Sequence, residues 1–319
     1  MRYRCAILDD YQAAAAGLAD WNSLSDVDVT FFTAPFADAQ AAARALKDFH
    51  IVGLMRERTP FPRALLAGLP NLRLLMTSGM GNAAIDLAAA RDHGVTVCGT
   101  GHFGAPAAAL AIGLMLELTR RIGFEDARLK AGAPWQVTLG RDLEGMTLGI
   151  VGLGRLGRRV AAIAQALGME VIAWSQNLTP EACRDAGVAY ASRTELFARA
   201  DIVSIHLALS ERTRGLIGCD ELSRMKPTAY LVNTARGPIV VEDDLVDVLR
   251  QRRIAGAGLD VFWTEPLPLD HPLRGLDNVV LTPHLGYVTE QGYRRFYADM
   301  VEDIAAWLAG APIRRIEAE

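Results

Sequence analysis

Between Leu148 and Gly157 the chain reads Leu-Gly-Ile-Val-Gly-Leu-Gly-Arg-Leu-Gly, an apolar strand running into a Gly-x-Gly-x-x-Gly turn. An amphipathic helical pattern follows it to about Leu167. In that setting Gly152 permits the tight turn, Gly154 lets a pyrophosphate approach the backbone, and Gly157 lets helix pack on strand. The helix N-terminus then faces the negative phosphates. With 29 glycines the bare spacing would arise easily by chance, so the strand before it and the helix after it carry the reading. The segment is expected to bind a dinucleotide, with Arg155 and Leu156 inside the loop.

A second strand, EVIAW, should end near the adenosine ribose, where an NAD site places an acid about 20 positions on. Ser175 stands there instead, followed by Gln176 and Asn177. A serine neither repels a 2′-phosphate nor grips the ribose diol as a carboxylate does, and no arginine follows directly. The coenzyme stays open between NAD and NADP.

A chain of 319 residues exceeds the usual reach of one core, so two domains are expected. Before the glycine loop, short strands at YRCAIL, VDVTFF, HIVGL and LRLLMT alternate with helical patterns over Tyr11–Asp20, Ala37–Phe49 and Ala83–His93. Such alternation predicts a parallel sheet covered by helices. The stretch from Gly99 to Pro106 reads as a hinge or ligand loop that opens a long helix to about Lys130, with Pro106 in its first turn. A second alternating series runs from MTLGIVGLG to NVVLTPH. The last helix, Thr289 to Leu308, repeats Phe296, Met300, Ile304 and Leu308 at helical spacing and must dock on a core.

Composition narrows the partners. No run of about 18 apolar residues escapes polar interruption. The start, MRYRCAILDDYQ, reads as a strand and not a secretion signal. The four cysteines are scattered and form no metal-type pair, which predicts reduced thiols, a cytoplasmic setting and no metal centre. A net charge of −4 leaves no footprint for nucleic acid.

Three residues in the second half carry reaction chemistry: Arg236 in LVNTARGPIV, Glu265 in LDVFWTEPLP and His284 in VVLTPHLGY. Arginine grips a carboxylate with a planar fork. Histidine backed by a carboxylate donates a proton near neutral pH. With a hydride carrier upstream, that is the equipment for reducing a 2-keto acid. Among the other histidines, His206 is expected to pack near the cofactor, His102 lies in the hinge, and His50, His93 and His271 read as surface residues. Trp135 is expected to pack against the hinge helix.

With these motifs in view, including DIVSIHLALSERTRGLIG, MKPTAYLVNTARGPIVVEDDL and GAGLDVFWTEPLP, the chain resembles the D-isomer-specific 2-hydroxyacid dehydrogenase family over nearly its whole length. The resemblance implies two doubly wound parallel-sheet α/β domains, a Rossmann nucleotide domain (100–285) inserted into a flavodoxin-like substrate domain (1–99 and 286–319), with substrate and cofactor in the cleft. It implies a homodimer acting on a small 2-keto or 2-hydroxy acid. Carried over by position, Arg236 binds substrate, His284 donates the proton, and Glu265 stabilises its imidazolium form. Asp260 meets the nicotinamide amide. Ala208, Thr213, Thr234, Ala235 and Gly286 line the cofactor, with Arg236 and His284 also near it. In the first domain the turn Ser78-Gly79-Met80-Gly81 offers backbone amides to the substrate carboxylate, as an anion nest does. Arg56, and less directly Arg58, falls near substrate. Ala109 departs from the family, many members of which carry a glutamate there. Two rivals share this fold: a formate-oxidising enzyme, which has an amide where Glu265 stands, and a dinucleotide-sensing corepressor with partner-binding extensions.

Overall fold

The computed structural model describes residues 2–317. The chain divides into two compact units, Met1–Gly104 with Thr289–Glu319, and Ala105–Val288. The boundaries expected at 99/100 and 285/286 therefore fall a few residues later. The physical reason at the first is hydrogen bonding within the first unit: Gly79 N–H donates to Thr100 Oγ1 (2.8 Å) and Gly101 N–H to Asp299 (2.7 Å).

The first unit holds five parallel strands, β1 (Tyr3–Ile7), β2 (Val27–Phe31), β3 (Ile51–Leu54), β4 (Leu74–Thr77) and β5 (Thr96–Gly99), in the order β2-β1-β3-β4-β5. This is the flavodoxin-type winding. β3 and β4 are buried at every residue, which is why IVGL and LLMT read as continuous apolar runs instead of alternating ones. The helix Glu290–Leu308 returns to this unit and buries Tyr293, Phe296, Tyr297, Met300 and Ile304. Thr289 caps it by accepting from Gly292 N–H, a contact of about 1 kcal/mol. Leu308, at the frayed end, is exposed. The early helices are shorter than their patterns suggest because aspartates intervene: Asp10 accepts from Ala14 and Ala15, so the first helix spans only Ala15–Leu18. Asp38 and Asp86 cap the helices Ala39–Leu46 and Leu87–Asp92.

The second unit holds seven parallel strands, β6 (Thr147–Val151), β7 (Glu170–Trp174), β8 (Ala189–Tyr190), β9 (Ile202–Ile205), β10 (Tyr230–Asn233), β11 (Gly256–Leu259) and β12 (Val279–Leu281), in the order β12-β11-β10-β9-β6-β7-β8. Winding reverses between β6 and β9, the switch point at which open α/β sheets bind ligands. The long helix expected to reach Lys130 breaks at Arg121, whose backbone is left-handed (φ 52°), giving Pro106–Arg120 and Ile122–Lys130. The Glu117 carboxylate accepts from Gly123 N–H (2.9 and 3.1 Å), ending one helix while capping the next. Trp135 does not pack on the first of these helices: it is 70% exposed. The segment beyond Lys130 is instead held by Glu125, which accepts from Val137 and Thr138.

Candidate active site

Parallel pairing of β10, β11 and β12 places three loops side by side at the carboxyl ends of neighbouring strands. Arg236 follows β10, Asp260 and Glu265 follow β11, and His284 follows β12. Sheet topology thus gathers residues far apart in sequence.

His284 and Glu265 meet directly, with Nδ1 and Oε2 2.6 Å apart. The second oxygen of Glu265 accepts from Phe262 N–H (2.9 Å), so the carboxylate is oriented at both ends. An ionised carboxylate only accepts, which puts a proton on Nδ1 and leaves Nε2 to exchange one with a ligand. His284 itself sits in the left-handed region (φ 53°), a conformation non-glycine residues hold where surrounding bonds enforce it. Asp260 supplies those bonds. It is fully buried and accepts from Thr282 Oγ1 (2.6 Å), Leu285 N–H (2.6 Å) and Gly286 N–H (2.8 Å), fixing the turn around His284. Burial raises the Asp260 carboxyl above its ordinary range, while these donors and the His284 charge pull it back. Arg236 is half-buried, with Nη1 donating to Ala235 O (2.8 Å); Asn233, at the end of β10, ties the loop by accepting from Ala235 N–H and donating to Arg236 O.

Behind Glu265 lies a support that sequence reading missed. His271, expected at the surface, stacks on Trp263 with ring centroids 6.5 Å apart. Its Nδ1 accepts from Leu273 N–H (3.2 Å), so Nε2 carries the proton toward Glu242 (2.7 Å). Trp263 Nε1 donates to Val240 O, joining the Glu265 loop to the segment after Arg236. Only the tertiary packing reveals this: histidine, tryptophan and glutamate here share no motif spacing.

At the switch point, the glycine loop fits a dinucleotide. Gly152 has φ 103°, and a side chain at Gly157 would collide with the Gly152 carbonyl. Gly154 caps the helix Arg155–Ala166 without a side chain, and nothing lies within 4 Å of where one would stand, which leaves room for an anion at the helix N-terminus. Leu156 is the second residue of that helix. His206, at the end of β9, packs with Nε2 2.9 Å from Ser204 Oγ, and burial pushes its imidazole down to about 4. It stays neutral at working pH and is no rival proton donor. Ala208 and Thr213 lie in the loop beyond, Thr213 Oγ1 donating to Ala208 O (2.7 Å). Thr234 is buried, and Ser175 and Gln176 follow the end of β7.

In the first unit, Ser78–Gly81 follows β4 and Arg56–Arg58 follows β3. Gly79 has φ 88°, and a side chain there would strike the Arg56 guanidinium. Arg56 Nη1 donates to Ser78 O (3.0 Å), and its N–H to Ser78 Oγ (2.9 Å). The expected amide nest is narrower than the motif implies. Ser78 N–H is already bonded to Leu54 O and Gly79 N–H to Thr100 Oγ1, so the amides left for an anion belong to Met80 and Gly81. Arg58 is not a solvated charge: it covers the Tyr11 ring at 4.5 Å and donates to Asp9 O (2.8 Å). Asp9, buried and left-handed (φ 60°), accepts from Thr59 and Tyr11, a polar cluster invisible in the sequence. Burial raises its carboxyl, against the pull of those hydroxyls. His102 in the hinge is exposed.

A switch-point sheet with a phosphate cradle and an acid-backed histidine defines a nucleotide-dependent α/β oxidoreductase. Comparison with known proteins makes this particular. Residues 112–286 match the D-isomer specific 2-hydroxyacid dehydrogenase, NAD binding domain. A hydroxypyruvate reductase from Blautia hydrogenotrophica is 30% identical across 97% of this chain and 98% of its own length. A glyoxylate reductase from Aeropyrum pernix is 40% identical across 77% of this chain and 76% of its own. A phosphoglycerate oxidoreductase from Vibrio cholerae O395 superposes with TM-score 0.93 at 36% identity, covering 97% of this chain and 100% of that one. The chain belongs to the D-isomer-specific 2-hydroxyacid dehydrogenase family. It is an oxidoreductase of CH–OH groups that uses NAD or NADP.

Proposed function

We propose that this enzyme interconverts a small 2-keto acid, of the glyoxylate and hydroxypyruvate class, with the D-2-hydroxy acid, using His284 as proton donor and acceptor. The observation that carries the reading is the 2.6 Å Nδ1–Glu265 pair, which dedicates Nε2 to the substrate oxygen. Bound nicotinamide coenzyme supplies or accepts hydride at the keto carbon. The residues of the chain do the rest. Gly152, Gly154 and the amides of Arg155, Leu156 and Gly157 hold the pyrophosphate; Ser175, Gln176, Ala208, Thr213, Thr234, Ala235 and Gly286 line the coenzyme, and Asp260 meets the nicotinamide end while holding the His284 turn. Arg236 binds the substrate carboxylate or keto oxygen, and the orientation so imposed supplies much of the rate; in the first unit, Arg56 braces the turn Ser78–Gly81, whose Met80 and Gly81 amides suit a carboxylate. In reduction, His284 gives its Nε2 proton to the oxygen as hydride arrives, and Glu265 stabilises the charged ring beforehand. A carboxylate at Glu265 counts against a formate-oxidising site. Glyoxylate, hydroxypyruvate, pyruvate, phenylpyruvate and 3-phosphohydroxypyruvate, each with NADH and NADPH, test the assignment: glyoxylate or hydroxypyruvate should be reduced most efficiently, and absence of turnover with all five would refute it.

The working form is a homodimer held by the second unit, in a cytoplasm that keeps Cys5, Cys98, Cys183 and Cys219 reduced. What supports a dimer is a run of exposed apolar side chains: the helix Ile122–Lys130 buries none of its residues, and Ile122, Leu129, Trp135, Val137 and Leu139 are all more than half exposed. Apolar surface of that extent marks an association face. Light scattering on Trp135→Glu/Leu139→Glu should find a monomer where the parent chain is a dimer; a parent that is monomeric at micromolar concentration would dismiss the interface. Among the described residues no helix is long and apolar enough to cross a membrane.

A further inference from the structure

We propose that Arg212 reads the 2′-phosphate of the coenzyme, so that this chain prefers NADP(H) over NAD(H). The inference rests on the glycine loop being the coenzyme cradle and goes further by naming which coenzyme it takes. Sequence order supplies no cation beside Ser175: the residues after it are Gln176, Asn177 and Leu178. The fold supplies one from 35 residues downstream of Asn177. The loop after β9 crosses the end of β6 and reaches the end of β7, where Gln176 Nε2 donates to Arg212 O (3.2 Å) and Arg212 Nη2 donates to Asn177 Oδ1 (3.3 Å). The glycine loop meets the same strand end, Gly152 N–H donating to Trp174 O (2.9 Å). Arg212 therefore stands beside the residue that faces an adenosine ribose in this fold.

The loop that carries Arg212 is braced. Ser210 N–H donates to Thr213 Oγ1 (2.8 Å), Thr213 Oγ1 to Ala208 O (2.7 Å) and Arg214 N–H to Ser210 O (2.9 Å), which folds residues 208–214 into a braced turn. Among the described residues no carboxylate pairs with Arg212, and Glu211, its neighbour in the chain, forms no ion pair with it. Its side-chain bond to Asn177 is long and goes to a neutral amide. A phosphomonoester dianion is the stronger acceptor for a planar guanidinium, and exchange of one for the other gives up little. With serine at 175, the carboxylate that would repel that phosphate from this position is absent. NAD offers Arg212 only a hydroxyl.

Calorimetric titration of the full chain with NADP+ and NAD+, without substrate, reads this directly. NADP+ should bind at least roughly 10-fold more tightly, the scale of one charge-assisted hydrogen bond. Arg212→Gln should bring the two affinities to within about 3-fold, while Arg212→Lys keeps part of the preference, as a point charge would. Adenosine 2′,5′-bisphosphate against 5′-AMP should repeat the pattern without a nicotinamide. Raising salt should weaken NADP+ more than NAD+, a test that needs no variant. Equal affinities in the parent chain, or a preference that survives Arg212→Gln, would overturn the assignment. Failure of both dinucleotides to bind would bring down the cradle itself, a different and recognisable result.

Discussion

Replacing His284 with alanine lowers keto-acid reduction by at least about 10²-fold while coenzyme affinity, measured by titration, stays close to that of the parent. The size follows from losing a positioned general acid. The split follows from geometry, because the glycine loop at β6, proposed to hold the pyrophosphate, is separate from the turn at β12. Glu265→Gln tests the pair from the other side. An amide accepts the Nδ1 hydrogen bond but carries no charge, so imidazolium loses its stabilising partner. The protonated ring is the form that donates in reduction. Its destabilisation therefore lowers the rate of reduction in Glu265→Gln. An unchanged rate of reduction in Glu265→Gln would disconnect the carboxylate from proton transfer, and full activity in His284→Ala would remove the histidine from the reaction.

Arg236 gives the second large effect. Arg236→Ala should raise the Michaelis constant for the keto acid and lower kcat/KM by roughly 10²-fold or more, since a charged hydrogen-bonding partner of the carboxylate is lost. Arg236→Lys should fall between the two, because lysine restores the charge but not the planar fork. A structural role predicts something else: a lower melting temperature with unaltered substrate kinetics in the folded fraction. Steady-state rates together with thermal unfolding of the same samples separate the outcomes.

Much of this protein is legible in local sequence. The strand–glycine–helix run at 148–157 closes in one way because its constraints are steric and lie within ten residues. β3 and β4 declare themselves by continuous apolar runs, and the last helix by its spacing of Phe296, Met300 and Ile304. Arg236, Glu265 and His284 were visible as chemistry-bearing types in recognisable surroundings. Element ends were less legible, because a single side chain decides them: Asp10 shortens the first helix and Glu117 breaks the long one at Arg121.

What sequence could not determine is which groups are already engaged. The Ser78–Gly81 motif suggests a row of free amides, yet Thr100 takes Gly79 and Leu54 takes Ser78. His271 reads as a surface residue, yet Trp263 and Glu242 close around it, and nothing in the sequence pairs Arg58 with the Tyr11 ring it covers. Ser175 left the coenzyme open because Arg212, which bonds Asn177, arrives from another strand end. The physical reason is common to all of these. Strand, turn and helix are set by sterics and burial between near neighbours in the chain. Hydrogen-bond partners and charge contacts are set by which strand ends the sheet order places side by side.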